Sequence, residues 1–146
     1  MYKLNLYVFV EPAVLKESQK VWYYCLEYGV HRLYGSGSGV MTFNRATLTA
    51  ICAGLGRLTQ NSEVRIHSEN MWAMNAMTST LTEFSALRKW AVNDFRKPNG
   101  ETISNEEEWR SIWAQTRSHK LVPEPIGKEH HSWLREIARE HRTGTD

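Results

Sequence analysis

Two carboxylates stand at the ends of alternating apolar segments, where the chemistry of an α/β chain is usually found. Glu11 follows residues 3–10, and Glu69 follows Val64–Ser68. In open sheets, sites form beyond the carboxyl ends of parallel strands, and Val10-Glu11 and Ser68-Glu69 occupy two such ends. A carboxylate placed there is an oxygen ligand of the kind that hard divalent cations prefer. His67 precedes Glu69 by two residues and reads as a partly buried histidine of the strand. Glu129, His130 and His131 offer either a substitute acid or ligand or a solvated loop. The run Glu106-Glu107-Glu108 falls at the start of an expected helix, where acidic side chains stabilise the positive end of the helix dipole; it therefore reads as structural. Arg88, Lys89, Arg96 and Lys97 cluster around Trp90 and Phe95. Such cations are either a solvated helix face or phosphate contacts, which would make binding salt-sensitive.

Other chemistries are set aside by what is missing. Gly35-Ser-Gly-Ser-Gly39 lacks the Gly-Lys-Ser/Thr ending of a phosphate-cradling loop and reads as a flexible break. Cys25 and Cys52 have no metal-type spacing and lie among apolar residues, which points to two buried thiols in a reducing compartment. A net charge of +2, from 18 basic and 16 acidic side chains, does not announce a strongly basic nucleic-acid binder, although it allows a local patch. No apolar stretch approaches the ~20 residues that span a bilayer. No secretory leader pattern opens the chain, so a cytoplasmic protein is expected. Hydrophobic residues at 41% and charged residues at 23% are ordinary for a globular domain, and 146 residues suit one domain over 1–146.

The elements that must position these residues follow from periodicity. Leu4, Leu6, Val8 and Val10 alternate with Lys3, Asn5, Tyr7 and Phe9, a period of two that predicts a strand. Residues 11–19 read as a loop, 20–28 as a second strand and 30–34 as a third, the last two forming an antiparallel hairpin. Leu48, Ile51, Cys52, Leu55 and Leu58 recur at helical spacing over residues 44–58, with Thr42 or Asn44 as a cap. Residues 63–68 form a fourth strand. Helices are expected from Glu69 through Met77, over 82–95, from Ser104 onward and over 132–142. Ser104 and Glu107 match a capping box, and Trp109, Ile112 and Trp113 face inward. Residues 120–126 are extended, with Pro123 and Pro125 unsuited to a central strand. A strand–helix–strand crossover implies parallel pairing with a right-handed connection. The fold class is therefore α/β, a mixed sheet covered by helices.

This order resembles the ribonuclease H-like family. Ser68, Glu69, Asn70 and Trp72 match the family's small hydroxyl residue, Asp, Ser and aromatic after the fourth strand. Thr42-Phe-Asn-Arg-Ala-Thr-Leu48 is similar to the start of its first helix, with Asn44, Arg45 and Leu48 in place. Asn105 and Trp109 resemble its Asn-x-x-x-Trp pattern, and Gly127 with Glu136-Ile137-Ala138 resembles its last segment. The resemblance implies a five-stranded mixed sheet, with three antiparallel strands and two parallel additions. It implies hydrolysis of RNA in RNA–DNA hybrids by two Mg²⁺ ions about 4 Å apart, held by four acidic positions.

Those positions carry over unevenly. The acid after the fourth strand falls on Glu69, that of the first helix on Thr47 and that of the last helix on Arg135. The acid of the first strand falls on Val10, or on Glu11 if a small bulge ahead of Pro12 shifts the chain by one residue. Glu69 and Glu11 are thus the candidate catalytic and metal-binding residues, enough for one loosely held Mg²⁺ or Mn²⁺ ion and too few for two. Asn44 and Arg45, with Arg88, Lys89, Arg96 and Lys97, are the candidate nucleic-acid contacts. The expected function is a catalytically degenerate domain that binds RNA–DNA hybrid, another nucleic acid or a protein partner, with no membrane. The alternative is an active metal-dependent nuclease with a rearranged site.

Overall fold

The computed structural model describes residues 1–13 and 18–139. Its elements are β1 (Tyr2–Pro12), β2 (Gln19–Tyr28), β3 (His31–Val40), α1 (Phe43–Leu55), β4 (Ser62–Ser68), α2 (Met71–Met77), α3 (Ala86–Val92), α4 (Glu106–Gln115), β5 (His119–Pro125) and α5 (His131–Arg139), the last preceded by a 3-10 turn at Lys128–His130. They form one five-stranded sheet in the order β3-β2-β1-β4-β5. β1 pairs antiparallel with β2, as β2 does with β3, while β4 is parallel to both β1 and β5. This is the α/β mixed sheet anticipated from the alternation and the crossover.

The period-two pattern of β1 divides the core. Leu6 and Val8 join Leu26, Val64 and Ile66 against Leu48, Ile51 and Leu55 of α1, Met74 of α2, and Trp109 and Ile112 of α4. Tyr7 and Phe9 face the other way, with Tyr23 and Cys25, onto Leu134 and Ala138 of α5. Trp109 is fully buried beneath Trp90 and Trp72, at ring-centroid distances of 5.3 and 5.5 Å. Pro123 and Pro125 are accommodated because β5 is an edge strand, where a missing N–H costs no ladder bond on the open side. Cys25 is buried and Cys52 half-buried. No described helix is long and apolar enough to cross a membrane.

Three local expectations are corrected. The glycine run is not a flexible break: β3 continues through it to Val40. Gly35 pairs with Tyr24 and Gly37 with Trp22, and a Cβ at either glycine would collide with the aromatic ring opposite. The glycines therefore make room for two rings that lie across the edge strand. The helix expected over 82–95 shrinks to α3, because the hydroxyl of Thr80 accepts N–H bonds from Thr82 and Glu83 and holds that stretch as a turn. Ser85 then caps α3 by accepting from the Arg88 N–H, and Asp94 and Phe95 at positive φ carry the chain away. The Ser104–Glu107 capping box does not form. Asn105, at φ 60°, is the residue before α4 and makes no side-chain cap bond. A left-handed residue turns the chain too sharply for Ser104 to serve as the cap, and Asn tolerates that conformation better than most. The part of the last expected helix beyond Arg139 lies outside the described residues, as do residues 14–17 of the loop after β1.

Two outcomes follow for stability. Gly35→Val drives a branched side chain into Tyr24, whose hydroxyl is held by Arg57 at 3.0 Å. Overpacking of this kind costs about 1–3 kcal/mol, to be read from the urea midpoint at unchanged m-value. His119 is buried, and its Nδ1 accepts the Ser62 N–H at 3.1 Å where β4 and β5 begin. Burial holds its pKa below the usual histidine range, and burial also lowers that of His67. Below about pH 6.5 the unfolded chain therefore takes up protons that the folded chain refuses, and stability falls with pH. A double His67→Gln, His119→Gln variant should show a shallower decline between pH 7.5 and 5; an equally steep one would clear both residues of the effect.

Candidate functional site

The loop after β4 is built by short polar side chains. Ser68 Oγ accepts the Asn70 N–H at 3.0 Å, and Asn70 Oδ1 in turn caps α2 by accepting the Ala73 N–H at 3.0 Å. The Asn70 amide, 2% exposed, spends its Nδ2 on Asn44 Oδ1 at 3.0 Å and Thr47 Oγ1 at 3.1 Å, both in the first turns of α1. Thr47 itself donates to the Phe43 carbonyl at 3.0 Å. The position that the resemblance assigns to a carboxylate of the first helix is therefore a neutral hydroxyl, buried and bonded.

Glu69 projects from the same turn, and its partner comes from the far end of the chain. His131, the first residue of α5, places Nδ1 at 2.9 and 2.8 Å from the two carboxylate oxygens, while its ring rests edge-on against Phe9 at 5.1 Å. Half of the His131 side chain is exposed, whereas the Glu69 side chain beneath it is 17% exposed.

Glu11 belongs to the same face as Phe9. Pairing between β1 and β2 runs unbroken from Asn5↔Glu27 to Pro12↔Lys20, so the bulge that would have shifted the register is not present, and Val10 stays on the α1 side of the sheet. Glu11 accepts from the Tyr23 hydroxyl at 2.8 Å and from Arg139 Nη1 at 3.2 Å. Arg135 Nε lies 3.8 Å from it. Both candidate carboxylates are thus engaged by α5, one by an imidazole and one by guanidinium groups.

This donor set does not fit a two-metal centre. Mg²⁺ needs several oxygen ligands in near-octahedral array. Among the described residues no group of three or more His, Cys, Asp or Glu is placed to hold a metal ion. A single Mg²⁺ or Mn²⁺ shared by Glu11 and Glu69 would have to displace Arg139 from one and His131 from the other.

The candidate nucleic-acid residues fall in two places. Asn44, half-buried, and Arg45, exposed, begin α1; Arg45 Nε lies 3.3 Å from Glu108 Oε2. Arg88 and Lys89 are exposed on α3, with the Arg88 guanidinium stacked 3.8 Å above the exposed Phe84 ring. Arg96 and Lys97 are exposed on the turn that follows, tightened by an Arg96 Nη1 bond to the Gly100 carbonyl at 3.0 Å. Phe95 is buried and Trp90 half-buried, both packed against the core. Sequence reasoning missed the pairing of His131 with Glu69 and of Arg139 with Glu11. The available signal was the spacing of His131, Arg135 and Arg139 at every fourth residue, one stripe along a helix.

Comparison with known proteins agrees with the geometry. No protein-family model matches the chain. A protein named Ribonuclease H from Nitrosospira multiformis is 28% identical over 102 residues, covering 68% of this chain and 61% of that protein. One from Campylobacter curvus is 29% identical over 102 residues, covering 69% and 64%. The match thus spans about three-fifths of the length of these curated relatives. Among solved structures, a type 1 RNase H with the type 2 active-site motif superposes with a TM-score of 0.70 at 12% identity, covering 95% of this chain and 71% of that one. The RNase H domain of PFV gives a TM-score of 0.56 at 11% identity, covering 94% and 89%. The fold is the ribonuclease H fold. The chain has this fold and is similar in sequence to bacterial proteins named Ribonuclease H.

The polar turn carries a testable weight. Asn70→Ala removes the α2 cap and leaves Asn44 and Thr47 without their amide donor. A loss of about 1–3 kcal/mol is expected in urea unfolding. A change below about 0.5 kcal/mol, the size of an ordinary surface substitution, would mean that water replaces the network without penalty.

Proposed function

We propose that this ribonuclease H-like domain binds nucleic acid, RNA–DNA hybrid foremost, without two-metal cleavage. The observation that carries the reading is the exchange of charge at the four acidic positions implied by the resemblance. Glu69 remains, Thr47 is neutral, Val10 is apolar and Arg135 is a cation, while Glu11, on the opposite face of β1 from Val10, is matched by Arg139. Two divalent cations about 4 Å apart repel by about 4 kcal/mol even at the dielectric of water, four times the interaction of two unit charges. Two carboxylates already matched by two guanidinium groups leave no net negative charge to offset that repulsion.

Support for nucleic acid as the partner comes from the exposed cations of α3 and its following turn, and from kinship with proteins named Ribonuclease H. A fold neighbour, the foamy viral protease-reverse transcriptase, has been solved in complex with an RNA/DNA hybrid.

The test uses a labelled hybrid with Mg²⁺ or Mn²⁺. Binding without cleavage is expected. Cleavage that vanishes in Glu69→Gln would establish the alternative, an active nuclease with a rebuilt site. A gel shift across salt concentrations examines the patch. Replacing Arg88 and Lys89 by Ala should reduce the slope of log K against log salt by about 2, close to one per lost phosphate contact. An unchanged slope would remove both residues from the interface, and no shift at any salt would turn the search toward a protein partner.

A further inference from the structure

We infer that Arg135, supported by Arg139 and His131 along one stripe of α5, forms a metal-independent site for a backbone phosphate of the bound nucleic acid. The inference rests on the nucleic-acid reading above and specifies one of its phosphate contacts. Three observations converge on it. First, the stripe lies where β1 and β4 end, and it touches both Glu11 and Glu69. Second, those two carboxylates are already spoken for. Tyr23 and Arg139 bond Glu11, while His131 lies across the oxygens of the mostly covered Glu69. Third, Arg135 is the least committed member. Its side chain is 53% exposed, and its one ion-pair contact among the described residues is the 3.8 Å approach of Nε to Glu11.

The remaining edge of that guanidinium presents a planar pair of N–H donors. This fork matches two phosphate oxygens at once, and it stays charged at any physiological pH. Arg139, 24% exposed and closer to Glu11, neutralises the carboxylate that would otherwise repel the phosphate. His131 acts as a positioning residue by screening Glu69. Arg135 thus puts a cation of the protein itself at a position to which the resemblance assigns an acid.

The experiment uses the full chain in EDTA at fixed ionic strength, with two probes: an RNA–DNA hybrid duplex and inorganic phosphate. Hybrid affinity should be the same with EDTA as with Mg²⁺ to within about threefold, a difference near the RT scale. Arg135→Glu should weaken hybrid binding at least tenfold and lower the salt slope by about 1. Arg135→Lys should keep the slope and lose severalfold in affinity, because it retains the charge but not the fork. Titration with inorganic phosphate should shift the Arg135 side-chain Nε resonance in the wild type. A requirement for Mg²⁺ in hybrid binding would overturn the inference, as would Arg135→Glu binding like the wild type while remaining folded by circular dichroism. If phosphate moves the Arg135 resonance but the hybrid does not bind, the phosphate site stands and the nucleic-acid reading falls. If the hybrid binds and neither phosphate nor Arg135→Glu has any effect, the nucleic-acid reading stands and the site falls.

Discussion

The parallel pairing of β1 with β4, from Tyr2↔Ser62 to Tyr7↔His67, is the contact through which every other feature of the site is placed. Both strands are buried on the α1 side by Leu6, Val8, Val64 and Ile66, and β1 is covered on the other side through Tyr7 and Phe9. Because the side-chain period in a strand is two, a slip of one residue would turn all of these toward the wrong face, so burial holds the register firmly. The same pairing brings the ends of β1 and β4 side by side. Glu11 and Glu69 then lie within reach of a single helix. The crossover through α1 delivers Asn44 and Thr47 to the Asn70 turn beside them.

Against that fixed frame, what differs is charge. The sheet is that of the ribonuclease H fold, and the groups gathered at the ends of its strands are an imidazole, two guanidinium groups, two amides and three hydroxyls beside two carboxylates. Each carboxylate has a cationic or hydrogen-bonding partner from the protein itself. Packing and register depend on apolar faces, whereas the chemistry of a site depends on a few polar side chains at the rim, so the two vary independently.

The sheet edge shows a related economy of shape. Trp22 and Tyr24 lie nearly parallel, with ring centroids 6.5 Å apart, over the glycines of β3. The rings supply the packing surface that glycine lacks, and the edge strand stays straight through a sequence that would be flexible in isolation.

Much of this was legible in the residues alone. Alternation in β1 and helical spacing in α1 follow from local geometry, since a period of two or of 3.6 is imposed by the backbone itself. The order of elements implied a parallel crossover, and the Ser68–Trp72 and Thr42–Leu48 segments carried the family resemblance. That the acidic positions held Thr47 and Arg135 could also be read directly. Only the tertiary structure decided the rest, because those outcomes depend on neighbours distant in the chain. Gly35 and Gly37 are strand residues only because Tyr24 and Trp22 lie opposite them. Ser104 is no cap because Asn105 turns the chain at positive φ. Glu69 meets His131 across 62 positions and Glu11 meets Arg139 across 128, pairings that no local pattern encodes. Periodicity is a property of a segment; the partner of a charge is a property of the fold.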